Sequence, residues 1–180
     1  MATWKSRGLR GSALEDLINE TNEKYKETGL AIVQKIPTPI TPIKMNPSKN
    51  QITLAFFEQK STVDYIGVVQ GVPICFDAKE CKEDRFPLQN IHAHQVDFME
   101  HFEKQGGVSF FIIHYTHKDI MIYLPFDMFK FFWDRSNNGG RKSFLLSELN
   151  PDFVINQNEG VFVPYLVPLK KDIEERDIVH

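Results

Sequence analysis

Two β-prone runs, Asp64-Tyr65-Ile66-Gly67-Val68-Val69 and Val72-Pro73-Ile74-Cys75-Phe76-Asp77-Ala78-Lys79, are separated only by Gln70-Gly71. A connection of two residues between such runs points to one local structure, an antiparallel hairpin. Side chains alternate across a strand, so Cys75, Asp77 and Lys79 share one face while Ile74, Phe76 and Ala78 take the other. Thr62 and Asp64 share parity in the same way ahead of the turn. The hairpin therefore predicts a second carboxylate within metal-bridging reach of the first, with an ammonium beside them.

Around this hairpin the chain alternates between helical and strand periodicity. Residues 1–12 carry Arg7, Arg10, Gly8 and Gly11 with scattered apolar side chains, and predict a flexible basic arm. A helix starts at Ser12, with Glu15 at capping-box spacing and Leu14, Leu17, Ile18 and Tyr25 as its buried stripe, and Gly29 ends it. Residues 30–35 and 52–57 are β-prone, and between them Pro37, Pro39 and Pro42 forbid a regular helix or a central strand. That long connection, residues 36–56, reads as a projecting semi-rigid hairpin or loop. Residues 88–105 have helical periodicity, residues 108–124 form a second apolar hairpin, and residues 126–133 a short aromatic helix. The order predicts an α/β or α+β sheet with helices packed on it. The expected division is the arm, one domain over 13–170, and an acidic tail over 171–180.

Bulk properties set limits on function. A chain of 180 residues with 42% hydrophobic content can bury a core in one domain without disulfides or metals. No stretch approaches the ~20 apolar residues that span a bilayer, so no membrane partner is expected and the chain is read as cytoplasmic. Cys75 and Cys81 lack CxxC spacing and read as reduced thiols. A net charge of -3 and a pI near 6.1 run against nucleic-acid binding, which favours an excess of Lys and Arg. Distribution matters more than the sum, because metal-binding carboxylates and the run from Asp172 to Asp177 add acid. Basic residues cluster at the N-terminus, at Lys35, Lys44 and Lys49 around the Pro-rich segment, and at Arg141-Lys142 after Gly139-Gly140.

The residue types on the hairpin match one chemistry. Phosphodiester hydrolysis uses a hard cation, Mg²⁺ with Mn²⁺ as substitute, which takes oxygen ligands and binds through one or two carboxylates plus a phosphate oxygen. Asp64 and Asp77 would hold it. Lys79 would orient or deprotonate the attacking water and stabilise charge on the phosphate. In the helix that follows, the apolar stripe Leu88, Ile91, Phe98, Phe102 is interrupted by Gln95, and a polar group there calls for a polar partner beneath it.

Asp64 followed by Asp77-Ala78-Lys79 resembles the PD-(D/E)xK nuclease core. The surroundings make the likeness specific: Leu14-Glu15-Asp16-Leu17-Ile18-Asn19, Pro37-Thr38-Pro39-Ile40, Ser61-Thr62-Val63-Asp64-Tyr65, Phe86-Pro87-Leu88-Gln89-Asn90, His94-Gln95 and Gly139-Gly140-Arg141-Lys142-Ser143. In order and spacing these resemble the RecU-type Holliday junction resolvases. The resemblance implies a restriction-endonuclease-like α/β fold, a central mixed β-sheet flanked by helices with a protruding stalk over residues 36–56. It implies magnesium ligands at Thr62, Asp64, Asp77 and Gln95, and a transition-state-stabilising lysine at Lys79. It further implies a homodimer acting on branched DNA in the nucleoid, with recombinase and branch-migration proteins as further partners. Two departures stand out: the family usually has Glu at the position of Asp77, and the N-terminal arm is short.

Several residues read two ways. Gln95 is a metal ligand or a helix-face amide bonded to backbone, and Glu15 joins the site or caps its own helix. Arg141-Lys142 grips a phosphate or forms a solvated turn. His92 and His94, two apart on a helix, would not share a face and are not read as metal ligands. The aromatic run Phe129, Phe131, Phe132, Trp133 reads as core or dimer packing, and Glu80 stays unassigned. Arg7, Arg10, Lys35, Lys44, Arg141 and Lys142 form the expected DNA contacts. Beside a junction-resolving endonuclease stand a nuclease of ordinary duplex and a non-catalytic junction-binding regulator of recombination.

Overall fold

The hairpin read from the sequence forms the middle of a six-stranded sheet in the computed structural model, which describes residues 12–37, 40–49, 51–57, 62–157 and 160–178. Its strands are β4 (Tyr65–Val69) and β5 (Val72–Cys81), paired antiparallel from Tyr65 opposite Phe76 to Val69 opposite Val72. Gln70 (φ 49°) and Gly71 (φ 89°) both adopt the left-handed conformation that a two-residue hairpin turn requires.

Helix α1 (Ser12–Glu27) precedes β1 (Ala31–Lys35), which lines the outer side of β4. On the inner side, β5 pairs in parallel with β7 (Val108–Tyr115), and a parallel neighbour requires a crossover, supplied by helix α2 (Ala93–Lys104). β8 (Ile120–Pro125) returns antiparallel beside β7 and is followed at once by α3 (Phe126–Asn137). The short β10 (Val154–Ile155) closes that edge, and α4 (Leu166–Ile178) ends the described chain. The order β1-β4-β5-β7-β8-β10 is a mixed sheet flanked by helices, the α/β arrangement expected above. Two small pairs stand apart: the ribbon β2 (Ile40–Asn46) with β3 (Gln51–Phe57), and β6 (Arg85–Pro87) with β9 (Ser143–Leu145).

Both faces of the central strands are buried, as their near-continuous apolar runs require. On one face Phe76 stacks between Tyr65 and Phe110 at 4.7 Å from each, and Tyr123 continues the column at 4.3 Å from Phe110. Tyr165 tilts against Phe76 from above and meets Tyr25 of α1 edge-on. Each aromatic pair of this kind adds about 0.5–1.5 kcal/mol beyond its burial. The opposite face carries Asp77 on β5 and Phe111 on β7, the latter covered by Phe129 of α3.

Three expectations are revised. The periodic stretch 88–105 is not one helix: Leu88–Asn90 form a 3-10 turn, His92 is extended (φ -91°, ψ 146°), and α2 starts at Ala93. The i, i+3 spacing of Leu88 and Ile91 is met by the turn, which buries both. The acidic residues read as a tail belong to α4 as far as Ile178, because Asp172, only 3% exposed, accepts the Tyr123 hydroxyl at 2.6 Å and Arg176 at 2.8 Å. His92 and His94 do stack, at 5.4 Å, since His92 lies outside the helical geometry. The arm read over 1–12 lies outside the described residues apart from Ser12, which opens α1.

The ribbon β2–β3 has the Pro-rich strand at one side of a two-stranded pair, where Pro42 opposite Ala55 displaces no ladder of the main sheet. The register shifts on either side of Lys44. Ile43, Met45, Ile52 and Leu54 are all exposed along it.

Candidate active site

Extending the β4–β5 register by one step sets Asp64 beside Asp77, and the two carboxylates lock the end of the hairpin. Asp77 Oδ1 accepts the Asp64 backbone N–H at 2.8 Å, and Asp64 Oδ2 accepts the Ala78 backbone N–H at 3.0 Å. The Lys79 ammonium lies between the acids, 2.5 Å from Asp77 Oδ2 and 3.7 Å from Asp64 Oδ2. Strand alternation thus brings together the three residues singled out on one face.

Gln95 reaches the same point from above. As the third residue of α2, its Oε1 accepts the His92 N–H at 3.0 Å, and its Nε2 donates to Asp77 Oδ2 at 2.7 Å. The backbone-bonded reading of Gln95 is met by the His92 cap, and the polar partner expected beneath the helix is Asp77. In this orientation it presents a donor to Asp77, the arrangement an anionic carboxylate favours. Thr62 is half-buried two residues before Asp64 and, among the described residues, makes no hydrogen bond to either acid.

The electrostatics leave the pair short of positive charge. Asp77 is fully buried, and burial pushes its carboxyl up to about 6, with the Lys79 charge opposing and repulsion from Asp64 adding to the rise. Burial also disfavours the Lys79 charge, yet the Asp77 and Asp64 carboxylates outweigh it and hold the ammonium above its ordinary value. Two carboxylates face one ammonium, so the cluster carries a net negative charge that would attract a cation. Among the described residues no group of three or more His, Cys, Asp and Glu side chains gathers. A cation here would rest on Asp64 and Asp77, with neutral oxygens, water and phosphate in the other positions.

These residues belong to a chain whose positions 9–171 match the model of the family described as RecU, Recombination protein U. The chain belongs to the RecU family. A relative from Pediococcus pentosaceus, named Holliday junction resolvase RecU, is 40% identical over 173 residues, covering 93% of this chain and 86% of its own. Another of that name from Limosilactobacillus reuteri is 38% identical over 169 residues, covering 91% of this chain and 83% of its own. Among solved structures, Archaeoglobus fulgidus Hjc, a Holliday junction resolvase from an archaeal hyperthermophile, aligns at 10% identity with a TM-score of 0.40 over 63% of this chain and 78% of that one.

The basic residues of this RecU-family chain are spread more widely than its acids. Lys35 pairs with Glu15 of α1, so the capping residue of the sequence reading is tied to the strand next to Asp64, whose carbonyl accepts the Ile36 N–H at 2.8 Å. Lys44 lies exposed on the ribbon, and Arg141 and Lys142 are exposed in the turn after α3. Arg7 and Arg10 lie outside the described residues. In the aromatic run, Phe129 and Phe132 are core while Phe131 is 64% exposed. Burial pushes the Cys75 thiol up to about 12, which keeps it inert beside Ser109. Glu148 and Arg135 organise the Arg141 turn and escaped the sequence reading, because a glutamate in a short polar turn carries no periodic or spacing signal.

Proposed function

We propose that this RecU-family chain is a Mg²⁺-dependent endonuclease that resolves four-way DNA junctions by paired, symmetric phosphodiester cleavage in recombination and repair. The observation that carries the reading is the convergence of Asp64, Asp77 and Lys79 at one point of the sheet, in a chain whose relatives are named Holliday junction resolvases.

Asp64 and Asp77 would hold the cation, with Gln95 and Thr62 as neutral oxygen donors, Gln95 by turning its amide over. When bound, the cation supplies Lewis acidity toward a phosphate oxygen and a supply of acidified water. The chain's own residues do the rest. Before the cation binds, Gln95 and the Asp64 N–H fix the Asp77 carboxylate; once Gln95 turns its oxygen to the cation, the Asp64 N–H keeps Asp77 in place. Lys79, anchored by both acids, places its charge where negative charge develops on the phosphate and orients the attacking water. Lys35, Lys44, Arg141, Lys142, Arg7 and Arg10 would contact the phosphate backbone, so binding should depend steeply on salt. Two protomers would each cut one strand, and the exposed apolar ribbon β2–β3 would enter the open centre of the junction.

Incubation with a synthetic mobile four-way junction, with and without Mg²⁺, tests this directly. Paired nicks at symmetric positions only in Mg²⁺ are expected. Equal rates on linear duplex would instead make the chain a general duplex nuclease, and binding without any cleavage would make it a regulator.

A further inference from the structure

Away from the acids, the C-terminal end of α3 and the turn behind it form a second charged cluster. Gly139 is left-handed (φ 84°), and a Cβ on Gly140 would lie 2.7 Å from the Arg135 carbonyl, so the turn closes down on α3 in a way only glycine permits. Arg135 is held on three sides: Nη1 donates to Glu148 Oε1 at 2.9 Å, Nη2 to the Ser143 carbonyl at 2.8 Å, and the guanidinium lies 5.0 Å over the Phe132 ring. Glu148 Oε2 accepts the Leu145 N–H at 2.8 Å, and its Oε1 also receives Arg141 Nη2 at 3.1 Å.

The two arginines differ in how firmly they are bound. Arg135 is 24% exposed with three anchors, whereas Arg141 is 46% exposed and Glu148 is its one ion-pair partner among the described residues. Glu148 stays ionised, its carboxyl held below the usual range first by the Arg135 hydrogen bond. The turn is also tied to the segment that carries Gln95, since the Lys142 carbonyl accepts the Leu88 N–H at 3.1 Å and Ser143 pairs with Pro87, at most five residues before His92, whose N–H Gln95 caps.

We propose that Glu148 is an internal stand-in for a DNA phosphate: its carboxylate holds Arg141 in the free protein, a backbone phosphate takes Arg141 over in the complex, and Arg135 stays behind to neutralise Glu148. The exchange swaps one oxyanion partner for another at an exposed, weakly bound guanidinium. It rests on the reading that Arg141 faces DNA. Its consequence is that Glu148 restrains binding, although it lies in the same turn as the basic residues.

The test is junction affinity in metal-free buffer across a salt series for the wild type, Glu148→Gln, Arg141→Ala and the double variant. Glu148→Gln keeps an acceptor for Leu145 and should bind the junction about two- to fivefold more tightly, the range for losing one exposed ion pair. Arg141→Ala should bind more weakly, with the salt slope reduced by about one, and adding Glu148→Gln to it should change nothing further. An affinity gain that survives without Arg141, or no gain at all while Arg141→Ala weakens binding, overturns the stand-in role and leaves the DNA contact intact. If Arg141→Ala binds as the wild type does, the contact itself is wrong. Guanidinium NMR signals give a second measurement free of variants: on adding junction, those of Arg141 should shift and those of Arg135 should not.

Discussion

The Gln95 side-chain amide joins the start of α2 to the acid at the centre of the sheet, accepting from His92 at 3.0 Å and donating to Asp77 at 2.7 Å. Gln95→Ala removes the cap and leaves a buried carboxylate oxygen with one partner fewer. The loss should be about 1–3 kcal/mol in urea unfolding, together with a marked fall in cleavage. An unchanged midpoint would mean that solvent replaces both bonds.

Asp77→Asn keeps the shape of the side chain and removes its charge. Cleavage should be abolished while junction affinity in metal-free buffer stays near the wild-type value. Mg²⁺ should raise the thermal midpoint of the wild type, as any ligand of the native state does, and leave that of the variant unmoved. A variant that cuts normally removes Asp77 from the site.

Lys79→Ala should lower the single-turnover cleavage rate about 10²–10³-fold, the range for losing one preorganised charge donor, with binding retained. If binding falls instead, Lys79 acts as a phosphate clamp and not in the chemical step.

The raised Asp77 carboxyl gives a pH dependence of definite sign. Its folded value, about 6, lies above the unfolded one. The native state therefore holds the proton more tightly, and the contribution is full below the unfolded value and lost as pH rises through about 6. In metal-free buffer the wild type should lose stability relative to Asp77→Asn between about pH 4 and pH 6. A stability difference that is flat across this window, measured by urea titration, would contradict the raised value.

The last helix should prove structural. Asp172 receives the buried Tyr123 hydroxyl and Arg176, which reaches on to Glu103. Asp172→Ala strands a buried hydroxyl and a half-buried guanidinium, and should cost about 3–5 kcal/mol by chemical denaturation. A loss below about 1 kcal/mol, the scale of a surface ion pair, would mean that Asp172 does not anchor α4.

The part of this protein legible in its sequence is the part governed by local rules. A two-residue turn between β-prone runs sets the register of β4 and β5, and a period of two then places Asp64, Asp77 and Lys79 on one face. Proline positions set residues 36–56 apart as a hairpin or loop for the same kind of reason, and β2 and β3 form a two-stranded pair outside the main sheet. Long-range contacts decided the rest. Whether residues 88–105 are one helix or a turn and a helix depends on Gln95 finding Asp77 and His92 together. Whether an acidic stretch is tail or helix depends on Tyr123, far back in the chain, offering Asp172 a buried partner. Periodicity records which side of an element is apolar, but a polar side chain takes its role from whichever group the folded chain brings within about 3 Å, and that pairing exists only in three dimensions.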